Sequence, residues 1–190
     1  KSLAAGEGYT LFGRPHYFVP PGYPLIIAGL TRVGLGSMLA LNAVTVLMAL
    51  ATLRFTYLAL RENWDAEIAL AATLVMGFSY TIYHQSVRQL SDLPFTMLVI
   101  AGIWCYLRGR RERGVWLVMG TLCLFSAIWV RVLGIPIAAG AAVGLGLEAN
   151  KRFALRARVC AVLASIVALI TGVLWTGYVR HQLSSESVPI

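Results

Sequence analysis

Residues 9–30 read YTLFGRPHYFVPPGYPLIIAGL, and the layout of the whole chain follows from them. The stretch starts polar and aromatic and ends apolar. Pro15, Pro20, Pro21 and Pro24 forbid one continuous helix, because each ring fixes φ and removes an amide donor. Each also pushes its predecessor out of the helical region. Gly22 permits a turn that a residue with a Cβ takes only at a cost. Tyr9, Phe12, Tyr17, Phe18 and Tyr23 suit a membrane–water boundary, where one side of a ring is wet and the other greasy. After Pro24 the chain turns apolar. The pattern predicts a loop lying on a bilayer, then a short interfacial helix over residues 24–33 ended by Gly34 and Gly36.

Composition supports a membrane setting. The chain has 190 residues, 58% hydrophobic and 13% charged, with mean hydropathy +0.74. A soluble domain carries about twice that share of charge, roughly 25%. Apolar runs recur along the chain at lengths that suit membrane spans. Backbone groups in lipid must bond internally, which makes these runs helices. The net charge of +8 does not mark a nucleic-acid partner, because Lys and Arg cluster between the apolar runs, as membrane topology requires. Cys105, Cys123 and Cys160 sit inside apolar runs, far apart in sequence, and read as small buried hydrophobes without a disulfide.

The expected fold is all-α and integral to the membrane: a polytopic bundle of about six transmembrane helices. One transmembrane domain fills residues 1–190, with an outer loop and interfacial helix over 1–36, the bundle over 37–179 and an outer polar tail over 180–190. The spans fall at about 37–60, 66–83, 95–107, 115–130, 133–147 and 159–179, with a second polar loop over 84–94. The fifth is rich in small residues, which permits close helix packing. Arg54 lies inside the first span, within snorkelling reach of the headgroups. No signal peptide is visible, and the chain begins at Lys1 within what reads as a loop, so a fragment of a longer protein is expected.

The turns 61–65, 108–113 and 148–158 are short and dense in Lys and Arg, which makes them cytoplasmic. The proline loop, residues 84–94, Arg131 and the tail then share the outer face of a plasma, or inner, membrane. RGRRER at 108–113 needs no ligand beyond this topology.

Asp92, in SDLP, has two readings. Ser91 or Asp92 can cap the third span at its positive dipole end, or Asp92 can serve as an acid or metal ligand on the outer face. Arg131 divides two apolar runs, either as a headgroup anchor or as a residue binding an anionic group such as a lipid phosphate. Arg88 admits the same pair of readings, with solvation favoured by its polar loop. His84 and His16 are candidate ligands, and Glu7 reads as a solvated loop carboxylate. The GEG at residues 6–8 is not a nucleotide loop, and there is no Walker, Rossmann or zinc pattern.

SLAAGEGYTLFGRPHYFVPPGYPLIIAGLTRVGLG, residues 2–36, resembles the first outer loop of GT-C membrane glycosyltransferases. The branch is the bacterial one related to protein O-mannosyltransferases and the lipid A aminoarabinose transferase. Its loop reads L-A-x-G-x-G-Y, then P-P-G-Y-P, matched here at residues 3–9 and 20–24. A short acidic loop at 91–95, a basic hairpin and an Arg after a glycine-containing helix, Arg131, follow in the same order. The resemblance implies transfer of a hexose or pentose from a polyprenyl-phosphate donor to a lipid, glycan or protein acceptor at the extracytoplasmic face. It implies Asp92 as the catalytic carboxylate and Arg131, Arg88, Tyr17, Pro21 and Tyr23 as substrate-binding residues. Membrane lipids are the other expected partners.

The chain departs from that pattern in two places. The family's main acidic residue lies upstream of the L-A-x-G-x-G-Y element, and Lys1 begins after it, so the enzyme is expected to be incomplete here. Where the aminoarabinose transferase has an acidic residue and a lysine before the paired prolines, this chain has Phe18 and Val19. No cofactor is named by the sequence, and a divalent metal is left open. Two rival readings remain: a transporter or lipid flippase, which calls for ionisable residues deep in the spans, and a non-catalytic membrane scaffold.

Overall fold

The computed structural model describes residues 10–11, 14–15, 20–87, 91–109, 114–147 and 155–185. Eight helices fill most of these residues: α1 (Gly22–Arg32), α2 (Met38–Arg61), α3 (Ala66–Gly77), α4 (Tyr80–Val87), α5 (Asp92–Gly109), α6 (Gly114–Val130), α7 (Gly134–Leu147) and α8 (Leu155–Ser185). Two very short strands, β1 (Thr10–Leu11) and β2 (Arg14–Pro15), pair antiparallel ahead of α1. The expected all-α class therefore holds, with this small ladder added inside the proline loop.

Small and hydroxylated side chains make up much of the interior, beside Leu93, Leu117 and Leu124, while many large apolar ones face outward. Ala49, Thr52, Ala69, Thr73, Ala101 and Ala127 are buried. Leu39, Leu47, Val75, Val173 and Leu174 are exposed. In water this arrangement would leave a broad apolar surface uncovered. In lipid it is the expected one, since helices there associate through small residues and lipid solvates the large ones. The buried threonines satisfy themselves within their own helices. Thr52 donates to Met48 O at 2.8 Å, Thr73 to Ala69 O at 2.7 Å and Thr121 to Leu117 O at 2.9 Å.

Among the described residues one helix, α2, is long and apolar enough to cross a bilayer by itself, and α3 and α6 are apolar but shorter. Ser37 caps α2 by accepting the Ala40 N–H at 3.2 Å. At the centre, α5 packs between α2 and α6, and α6 packs in turn on α7 and α8. The α5–α6 contact is close. A Cβ on Gly120 would lie 3.0 Å from Gly102 O, and Tyr106 Oη and Thr121 Oγ1 share a hydrogen bond of 2.8 Å.

Several boundaries differ from expectation. The second apolar run breaks after Gly77 and resumes as α4, with Ser79 Oγ accepting the Ile82 N–H at 3.4 Å. Residues 80–87 are thus helical where the sequence suggested a loop from 84, because His84, Gln85 and Ser86 are polar without being helix breakers. The helix predicted over 24–33 begins two residues earlier, at Gly22. Pro24 is tolerated there, since first-turn amides have no intrahelical acceptor. Gly34, at φ 87, ends that helix as expected. α8 runs from Leu155 to Ser185, so residues 180–185 of the expected tail are helical. The tight approach of α7 to α8 comes from Gly172 against Ile135, whereas a Cβ at Gly140 of α7 would meet open space. Cys105 and Cys123, far apart in sequence, face each other across α5 and α6, thiol to thiol.

Candidate functional site

α5 opens with Ser91, whose carbonyl accepts the Phe95 N–H at 3.2 Å. Pro94 falls in the first turn, where its missing N–H costs nothing. Asp92 therefore stands at the positive end of α5. Its backbone carbonyl accepts Thr96 Oγ1 at 2.8 Å, while its carboxylate reaches across to another helix.

That other helix is α6. Arg131 sits just past its last residue, with its N–H on Ala127 O at 2.9 Å and its carbonyl accepting the Gly134 N–H at 2.9 Å. The chain turns here into α7, and Gly134 allows the turn to fold back tightly: a Cβ on it would lie 2.7 Å from Ile128 N. This turn delivers Arg131 to Asp92. Arg131 Nη1 and Asp92 Oδ1 form an ion pair, with side chains 36% and 28% exposed. The pair is wet on one side, so its worth to stability is about 0–1 kcal/mol. It uses one donor of a guanidinium that has five and one oxygen of the carboxylate, leaving capacity on both for a ligand.

The start of α1 seats against the same end of α6. Pro21 precedes the helix, and its carbonyl accepts the Leu25 N–H at 2.9 Å. Gly22 presses so closely that a Cβ would lie 2.4 Å from Trp129 O and 3.0 Å from Val130 N. Tyr23 follows, half-buried, and burial pushes its phenol above the usual value, so the hydroxyl stays neutral and can donate. Beside this seat a narrow apolar cleft is lined by Pro20, Trp129, Val132, Ile135, Gly172 and Trp175. Trp129 and Trp175 have ring centroids 6.2 Å apart, in a row that continues to Tyr178.

Of the residues singled out from sequence, the structure joins Asp92 to Arg131 and brings Pro21 and Tyr23 to the adjoining seat. His84 lies on α4 with its ring centroid 5.5 Å from that of Tyr80. Tyr17, Arg88, His16 and Glu7 lie outside the described residues. Sequence reasoning missed Trp129. The available signal was its place in WVR, an aromatic two positions before the cation that divides two apolar runs. Trp175, near the end of the sixth apolar run, lines the same cleft.

Among the described residues no group of three or more His, Cys, Asp or Glu comes together. Glu62, Asp65 and Glu67 lie at the opposite end of the bundle, which leaves Asp92 as the described carboxylate at this one. The described residues alone do not build a metal site here.

No curated protein and no solved structure matches the chain. The family described as dolichyl-phosphate-mannose-protein mannosyltransferase matches residues 19–176, from just before the paired prolines to just past Trp175. On that match over most of its length, the chain belongs to the dolichyl-phosphate-mannose-protein mannosyltransferase family, and so to the GT-C type of membrane glycosyltransferase.

Proposed function

We propose that the protein transfers a hexose or pentose from a polyprenyl-phosphate donor to a hydroxyl-bearing acceptor at the extracytoplasmic face of the plasma membrane. The family's description names a dolichyl-phosphate donor and a protein acceptor. For this chain a lipid-linked donor is the better supported part, and the acceptor is a protein, a glycan or a lipid. The bundle is multi-pass, with the six apolar runs crossing the bilayer and α1 lying in its surface.

One observation carries the reading: the ion pair of Asp92 and Arg131 at a rim of the bundle, beside an apolar cleft. The unused donors of Arg131 suit the donor's phosphate, bidentate and at the membrane boundary. The cleft between Trp129 and Trp175 suits the first isoprene units of its tail. Asp92 takes the proton of the acceptor hydroxyl, whose own pKa is far above 7. The acceptor oxygen then bonds to the sugar's anomeric carbon as the bond from that carbon to the phosphate oxygen breaks. Negative charge accumulates on the departing polyprenyl phosphate, where Arg131 stabilises it. Tyr23 and Pro21 frame the side from which the sugar enters, and Arg88 and Tyr17 are assigned to substrate binding from sequence alone.

The test is transfer of labelled sugar from a polyprenyl-phosphate donor by the full-length protein in membranes. Asp92→Asn and Arg131→Ala should insert normally and lose transfer. Normal transfer by both would overturn the site assignment.

A further inference from the structure

A second polar feature lies well away from the Asp92–Arg131 rim. Between α2 and α3 an open groove of about 500 Å³ is lined by Leu53, Arg54, Tyr57, Leu70, Leu74 and Phe78. Its level in the bundle is fixed by ring contacts. Phe55, next to Arg54, has its ring centroid 5.6 Å from that of Trp104, which lies 5.2 Å from Trp116. Trp104 is about 18 Å along α5 from Asp92 at 1.5 Å per residue. The groove is therefore close to the end of the bundle opposite the ion pair.

Arg54 is the reason to expect an occupant. It sits about 10 Å inside the Arg61 end of α2, by the same rise per residue. α2 is long and apolar enough to cross a bilayer, so on the proposed topology this cation is set within or at the edge of the apolar layer. The side chain is exposed to the groove. Among the described residues no ion pair or hydrogen bond reaches its guanidinium. The carboxylates nearest in sequence, Glu62 and Asp65, lie beyond Arg61 and act electrostatically on that residue.

The other polar groups of the groove are informative. Thr73 spends its hydroxyl proton on Ala69 O at 2.7 Å, so it offers no donor. Tyr57 Oη accepts from Arg61 Nη1 at 3.4 Å, and its own proton stays available. The groove thus presents a guanidinium and a phenol donor on its α2 wall and apolar side chains on its α3 wall. A phosphate takes both, and an acyl chain covers the trough.

We propose that the α2–α3 groove holds one anionic phospholipid. Its phosphate sits on Arg54 and Tyr57, and one acyl chain lies along Leu70, Leu74 and Phe78. The site supplies the counter-charge that Arg54 lacks among the described residues and fills the space beside the break between α3 and α4. It is distinct from the rim proposed to bind the lipid-linked sugar donor, and its test does not depend on transfer activity.

The experiment is native mass spectrometry of the full-length protein, purified in detergent and incubated with phosphatidylglycerol or phosphatidylcholine. The wild type should retain one phosphatidylglycerol and release phosphatidylcholine. Arg54→Gln should weaken retention about tenfold and Arg54→Lys much less, since Lys keeps the charge but not the fork. Leu74→Trp fills the trough with Arg54 intact and should also displace the lipid. It therefore tests the site even if Arg54→Gln proves unstable in a thermal melt. Arg180→Gln, on the projecting end of α8, should leave retention unchanged. The proposal is overturned if Arg54→Gln and Leu74→Trp both retain phosphatidylglycerol as the wild type does. It is equally overturned if phosphatidylcholine is held as well, or if glycerol phosphate without acyl chains competes as strongly as the lipid.

Discussion

At the residue scale, the proposed function gives Asp92 and Arg131 weak structural duties and strong chemical ones. Their ion pair is partly exposed, so removing either side chain costs about 1 kcal/mol of stability or less. A positioned general base contributes roughly 10²–10⁴ in rate. Asp92→Asn should therefore reduce transfer at least about 100-fold while the melting temperature hardly moves. Arg131→Lys should fall between wild type and Arg131→Ala, because an ammonium keeps the charge but loses bidentate geometry. Steady-state transfer assays beside thermal melts in detergent check both. Tyr23 gives a pH test. Burial raises its phenol above the usual 10.0, so the folded state binds that proton more tightly than the unfolded one. Stability from this group is constant below pH 10 and falls as pH rises beyond it. Tyr23→Phe should remove that fall, seen as a smaller drop in melting temperature between pH 9 and pH 11, about the ordinary phenol value near 10.

At the element scale, α1 is held by backbone contact at its first turn, and α5 with α6 by a glycine-lined seam. Gly22→Ala sets a Cβ 2.4 Å from Trp129 O, so α1 must lift. A cysteine at Tyr23 should then react faster with a water-soluble maleimide, and transfer should fall while helix content by circular dichroism holds. Gly120→Leu drives a side chain into Gly102 O and Cys105 Cβ, at 3.0 and 3.3 Å from the new Cβ. It should destabilise the bundle by about 1–3 kcal/mol, the usual range for overpacking. Much of this scale was legible in the sequence. The apolar runs gave helices close to their expected bounds, because in lipid a run of apolar residues has few alternatives to helix. Asp92 and Arg131 were visible as ionisable residues at run boundaries. Their pairing was not, since it depends on a turn whose tightness rests on Gly134 lying against Ile128. The break after Gly77 was hidden for a related reason: residues 66–83 read as one predominantly apolar run, and hydropathy does not register a change in backbone direction.

At the scale of the whole molecule, the bundle has two chemically different ends. One carries Asp92, Arg131 and the seat of α1, and the other carries Arg61 and Arg108, the latter stacked over Trp104 and Trp116 at 5.7 and 5.1 Å. If the proposed topology holds, cysteines at Ser91 and Asn63 should react with an impermeant reagent from opposite sides of sealed vesicles. Labelling of both from one side would end the proposed orientation. The length of α8 has a further bearing on how substrates arrive. Trp175 stands level with Trp129, yet the helix continues to Ser185, roughly 15 Å further at 1.5 Å per residue. Among the described residues the rim is consequently lopsided, with a helical post rising on one flank of the ion pair. On the proposed function, an acceptor arriving on the flank of α8 meets that post, so a bulky polypeptide is restricted there where a small glycan is not.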